Sequence, residues 1–138
     1  PIPKFGELLL SPAEFMLGVS YNPGYQSVLK DLKPSTRQRF VSLSFRYPEA
    51  SVETVIVSTE AGIDEGLASR LVKLGLMSRA LKESGLPEGA STRLLIQAGL
   101  LIKSGIDIRT SCMVGIVESL TDDVDLLAAL SEMVDAVF

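Results

Sequence analysis

Two hydrophobic periods share this 138-residue chain, and one gives way to the other near residue 47. In the first part, apolar residues come in short runs or at every second position, the spacing of strands. Ile2-Pro3-Lys4 and Glu7-Leu8-Leu9-Leu10 flank Phe5-Gly6 and predict a hairpin. Phe15-Met16-Leu17-Gly18-Val19 reads as a buried strand, and Phe40-Val41-Ser42-Leu43-Ser44-Phe45 alternates apolar with polar. Between them, Pro34-Ser35-Thr36-Arg37-Gln38-Arg39 predicts a short helical turn capped by Ser or Thr.

From Tyr47-Pro48 onward the period is helical. Helices are expected over residues 50–61, 64–84, 91–104, 109–120 and 122–137. The second carries Leu67, Leu71, Leu74, Ser78 and Leu81 on one face, with Gly85 as its stop. Ser91 opens the third and Gly105 ends it; Leu126, Leu130, Val134 and Val137 share a face of the last. The expected fold class is α/β, with a strand-rich portion at 1–47 followed by an all-helical portion at 48–138. No internal repeat or low-complexity segment interrupts either portion.

Composition narrows the function more than the fold. With 46% hydrophobic and 22% charged residues the chain is globular and long enough to bury a core. The net charge of −4 and the scattering of 13 basic residues argue against a nucleic-acid footprint. No His and one Cys leave zinc sites, Cys-His nucleophiles and a disulfide framework unsupported. Cys112 is expected to be a small buried hydrophobe, and Met16, Met77, Met113 and Met133 to be core residues. The longest apolar stretch, residues 94–106, is cut by Gln97 and Lys103 and is too short to span a bilayer. No secretory signal is visible, so a cytoplasmic protein with no membrane partner is expected. The chain starts in mid-pattern at Pro1, which suggests a piece of a longer protein.

Three places carry candidate chemistry. Ser20-Tyr21-Asn22-Pro23-Gly24-Tyr25-Gln26 brings the Asn22 amide to the end of an apolar run, inside a Pro-Gly turn. Arg93 follows Ser91 in a helix's first turn, where the dipole disfavours a cation unless an anion is shared there. The plainer reading is an exposed Arg93 paired with Glu88. Asp122, Asp123 and Asp125 stand at a helix start, where capping explains them better than a cation site.

Taken together, Ser20-Tyr21-Asn22-Pro23-Gly24-Tyr25-Gln26, Ser35-Thr36-Arg37-Gln38-Arg39-Phe40 and Glu88-Gly89-Ala90-Ser91-Thr92-Arg93 resemble the C-terminal half of the CbbQ/NirQ/NorQ family, a branch of the MoxR-type AAA+ ATPases. Ser119-Leu120-Thr121-Asp122-Asp123 fits the same family. The resemblance covers essentially the whole chain. It implies the end of an AAA+ α/β core at 1–47 and a helical lid at 48–138. It also implies ATP and Mg2+ as cofactors of the intact protein, a hexameric ring, a partner with a von Willebrand factor A domain and a target metalloenzyme, Rubisco or nitric oxide reductase. By the same resemblance Asn22 is the sensor-1 residue that orients attacking water. Arg39 is the arginine finger given to a neighbouring subunit, with Arg37 as second candidate, and Arg93 is the sensor-2 arginine acting in cis.

The residue types suit phosphoryl transfer, which needs positioning and charge stabilisation rather than a covalent nucleophile. Arg is preferred to Lys because its planar fork grips phosphate at two points. The departures are equally plain. No Gly-x-x-x-x-Gly-Lys-[Ser/Thr] occurs, and Asp64-Glu65 begins a helix rather than ending a strand. The chain alone is therefore expected not to hydrolyse ATP. Two function classes remain: a piece of an ATP-driven activator, or a non-catalytic helical interaction module derived from the lid.

Overall fold

A computed structural model of the chain describes residues 10–20, 35 and 38–138. It divides into two compact units, residues 1–44 and 45–138. In the first, the expected hairpin before Leu10, Asn22 with its turn, and Arg37 lie outside the described residues.

The expected α/β class is overturned. Among the described residues there is no strand: residues 15–19 and 41–45 have no regular secondary structure. Phe15, Met16, Val41 and Phe45 are 65%, 88%, 91% and 91% exposed. Alternation and aromatic content mark side chains that suit a pleated surface, but a strand exists only when a second backbone accepts its N–H and C=O groups. Neither segment has such a ladder among the described residues. The observed architecture is helical.

The second unit is built from helices α1 (Ala50–Ala61), α2 (Glu65–Ala80), α3 (Thr92–Lys103), α4 (Ile108–Cys112), α5 (Glu118–Leu120) and α6 (Val124–Val137). A 3-10 turn, Leu81–Ser84, tightens the end of α2, and a π-helical turn, Met113–Val117, joins α4 to α5. Four starts are capped by short polar side chains: the Asp64, Ser91, Asp107 and Asp123 oxygens accept from backbone N–H groups of the first turns. Asp123 takes the N–H groups of both Asp125 and Leu126 at 3.0 Å, a capping role for that acidic cluster. Gly85 ends the 3-10 turn with φ of 101°, a conformation that costs a residue with a Cβ.

Helices α1, α2 and α3 pack against one another, and α6 lies against α2. Leu71 and Leu74 of α2, Leu95 of α3, Ile116 of the π-turn and Leu130 of α6 fill the core. Cys112 is among these buried residues; burial pushes its thiol pKa up to about 12, against a small lowering from the charge of Arg70. Met113 and Met133 pack at the edge of the core. Met16 does not: it is exposed, contrary to the expectation that all four methionines are buried. Within the second unit the packing holds the loop between α2 and α3, because Leu86 and Ala90 are themselves part of the core. That loop leads to Arg93.

Candidate functional site

The α2–α3 loop is held by a buried polar cluster that the hydrophobic pattern alone did not reveal. Glu53 stands in the first turn of α1, and its side chain has no solvent exposure. An ionised carboxylate taken out of water is costly unless it is paired and fully hydrogen-bonded. Here it is both. Arg79, in the last turn of α2, donates from Nη1 to Oε2 at 2.8 Å and from Nη2 to Oε1 at 2.7 Å. Thr92, the first residue of α3, donates its hydroxyl to the same Oε1 at 2.6 Å. Burial alone would raise the Glu53 pKa; the bonds from Arg79 and Thr92, with the charge of Arg79, outweigh it and lower the value.

Arg79 is held on its other sides too. Its Nε donates to the Ala90 carbonyl at 2.8 Å, and its guanidinium carbon lies 3.7 Å from the centre of the Tyr47 ring. The Tyr47 hydroxyl donates to the Gly89 carbonyl at 3.4 Å. The Ala90 N–H donates to Ser78 Oγ, which in turn donates to the Gly75 carbonyl of α2. Gly89 passes so close to α2 that a Cβ there would collide with Arg79 Cα and come within 2.7 Å of its Cγ. The loop is fastened to α2 by its Ala90 backbone bonds and by the close approach that Gly89 allows.

This fastening fixes how α3 begins. Ser91 caps the helix, accepting from the Leu94 N–H at 3.4 Å, and Thr92 turns inward to Glu53. Arg93, next in sequence and about 100° further round the helix at 3.6 residues per turn, is exposed. The N–H groups of Thr92 and Arg93 are among the first four of the helix, which have no intrahelical acceptor. Among the described residues Arg93 makes no ion pair, so the expected pairing with Glu88 is not seen. What results is an exposed guanidinium beside the positive end of a 12-residue helix, a set of donors and positive charge suited to an anion such as phosphate. Among the described residues no cluster of three or more acidic, His or Cys side chains is placed to hold a metal ion.

The other expected site residues belong to the first unit. Asn22 and Arg37 lie outside the described residues. Arg39 lies in a turn of the first unit and is exposed. Glu53 and Arg79 were missed, and one signal for Glu53 was available. Glu53 sits four residues before Val57 and eight before Ala61, on the face of α1 that both of these bury. A carboxylate on an apolar face requires a buried cation.

A second surface feature lies between α3 and the segment from the π-turn to α5: a shallow, mainly apolar depression lined by Gln97, Leu100, Leu101, Val114, Gly115 and Ser119. It shares no residue with the Glu53 cluster.

The fold and site define a helical unit whose third helix follows Gly89-Ala90-Ser91 and carries Arg93 in its first turn, beside a buried charged clamp. The family model described as the CbbQ/NirQ/NorQ C-terminal region matches residues 53–137, from the clamp's own Glu53 to the end of α6. The chain belongs to the CbbQ/NirQ/NorQ family. It is similar to the denitrification regulatory protein NirQ of Pseudomonas aeruginosa, 54% identical over 132 residues that cover 96% of this chain and 51% of the relative. It is likewise similar to protein CbbQ of Hydrogenophilus thermoluteolus, 46% identical over all of this chain and 52% of the relative. Protein NorQ of Paracoccus denitrificans is 43% identical over all of this chain and 51% of the relative. The chain thus spans about half the length of the curated relatives it matches.

Proposed function

We propose that this chain is the part of an AAA+ activator ATPase that completes the nucleotide site by presenting charged and amide side chains to it. The observation that carries this reading is Arg93: an exposed guanidinium at the start of α3, in a family-matched region, held up by a buried clamp. Bound ATP with Mg2+ would supply the γ-phosphoryl group that is transferred to water. Arg93 would hold the charge on that phosphoryl in cis, and Arg39 would do so from a neighbouring subunit. Asn22 would orient the attacking water. The donor set fits the phosphates; the reading gives the described residues no part in holding the magnesium.

An arginine supplied across an interface makes the site depend on a ring, and a hexamer in the cytoplasm is the assembly proposed. The work done with ATP would be activation of a target metalloenzyme, Rubisco or nitric oxide reductase, with a von Willebrand factor A domain protein as partner. That the Pseudomonas aeruginosa relative is named a denitrification regulatory protein supports a regulatory role in the same sense. No helix among the described residues is long and apolar enough to cross a membrane. The alternative, a helical interaction module without catalysis, lacks a comparable observation in its favour.

The experiment is substitution in the full-length protein. Arg39→Ala and Asn22→Ala should spare ATP binding and abolish or slow turnover. Arg93→Ala should lower turnover by about a hundredfold, the order expected when one preorganised donor to developing charge is lost. Parental turnover in Arg93→Ala would refute the reading.

A further inference from the structure

Among the described residues Arg93 has no hydrogen bond or ion pair that would orient it, and its neighbour in sequence touches a fully buried carboxylate. Thr92 donates to Glu53 Oε1 at 2.6 Å, and that oxygen also accepts from Arg79 at 2.7 Å. Three helices therefore meet at a single carboxylate: α1 through Glu53, α2 through Arg79 and α3 through Thr92. Buried ion pairs contribute little net stability compared with a well-packed apolar core, but they accept few alternative geometries. A planar fork on a carboxylate sets the angle as well as the distance between α1 and α2. The hydroxyl of Thr92 then sets the rotation of α3 about its own axis at its first residue.

That rotation decides where Arg93 points. Because consecutive helical residues are fixed relative to one another, anchoring Thr92 inward holds Arg93 outward. We infer that Glu53, Arg79 and Thr92 are positioning residues for Arg93: their shared hydrogen-bond clamp aims the Arg93 guanidinium at the nucleotide's phosphates. The inference rests on the proposed nucleotide-facing role of Arg93 and adds to it the device that aims the side chain. It also explains why a Thr stands where Ser91 has already capped the helix. The cap satisfies Leu94, and the second hydroxyl serves the clamp.

The test is a double-substitution cycle in the full-length protein, read as kcat and KM for ATP. Thr92→Val removes the hydroxyl at nearly constant volume and leaves the Glu53–Arg79 pair; Thr92→Ser restores the donor. Thr92→Val should lower kcat about tenfold with little change in KM, within the range that small misplacements of a catalytic group produce. Thr92→Ser should stay within about twofold of the parent, and Thr92→Val should slow Arg93→Ala no further, since the two act through one group. Thermal unfolding of each variant separates misfolding from misaiming.

The inference is overturned if Thr92→Val turns over like the parent while Arg93→Ala is impaired. It is overturned equally if Thr92→Val slows Arg93→Ala by the same factor as it slows the parent, or if Thr92→Ser is as slow as Thr92→Val. Parental turnover in Arg93→Ala overturns the proposed role of Arg93 itself, and the positioning role with it.

Discussion

Glu53 and Arg79 form a two-pronged ion pair, 2.7 Å and 2.8 Å, in which the carboxylate has no solvent exposure. Removing one partner of such a pair leaves the other charged and buried, at a cost of about 3–5 kcal/mol. Glu53→Ala should therefore lower the denaturation midpoint sharply. The exposed pair of Arg109 and Asp135 makes the contrast, with an equally short Nε–Oδ1 distance of 2.7 Å. Water and salt screen that pair, so Asp135→Asn should leave the midpoint close to the parent's. Chemical denaturation of the three proteins checks both outcomes.

The same pair gives a pH dependence with a definite sign. The folded-state pKa of Glu53 is lowered, so the unfolded chain takes up a proton at higher pH than the folded chain does. The stability it contributes is present in full above the ordinary carboxylate range and is lost as pH falls through the lowered value. The stability gap between the parent and Glu53→Gln should narrow on going from pH 7 to pH 3. A gap that is constant or widens would contradict this.

Cys112 should be inert in the folded protein. With its pKa pushed up to about 12, almost none of it is thiolate at neutral pH, and the side chain is buried. Reaction with an aromatic disulfide reagent should be negligible in buffer and complete in denaturant. Because the raised pKa favours the protonated folded form, stability should also fall as pH rises from about 9, the ordinary thiol range, toward 12.

Gly89→Ala tests the close approach of the loop to α2. The new Cβ meets backbone of Arg79, which cannot rotate away, so the loop must move. A loss of about 1–3 kcal/mol is expected, the range for overpacking a close contact. Thermal unfolding measures it.

What could be read from the sequence differs sharply between the two units. The helical period was legible because each helix has to bury its own stripe: Leu71, Leu74 and Ser78 of α2, and Leu130 and Val134 of α6, are buried as their spacing required. The caps at Ser91 and Asp123 and the stop at Gly85 were equally local signals. The strands expected at residues 15–19 and 40–45 failed because pairing is not local. No run of apolar residues states whether a second strand lies beside it. The π-turn at Met113–Val117 was missed for a related reason. It lengthens the backbone ring within a helix whose side-chain pattern still looks α-helical, and Gly115 there packs against the backbone of Ala98.

For the site, Arg93 was legible as a cation at the wrong end of a helix dipole. Its clamp was only half legible. Glu53 signalled itself by sharing a face with Val57 and Ala61. Its partner could not be chosen among 13 basic residues without the packing of α1 on α2.

The 138 residues by themselves should show no ATP turnover, since no phosphate-binding Gly-x-x-x-x-Gly-Lys loop occurs in them. Measurable hydrolysis by this chain alone, free of contaminating ATPase, would contradict the proposed division of roles.

The central claim is that one ATP site draws Arg93 from its own subunit and Arg39 from a neighbour. Mixing two inactive full-length proteins, Arg39→Ala and Arg93→Ala, tests this most directly. In a head-to-tail ring, a subunit that keeps Arg93 beside one that keeps Arg39 has a complete site. Steady-state ATP turnover of an equal mixture, allowed to exchange subunits, should therefore rise to about a quarter of the parental rate, the fraction of complete sites in a random ring of such interfaces. A mixture no more active than the mean of the two variants would contradict the claim.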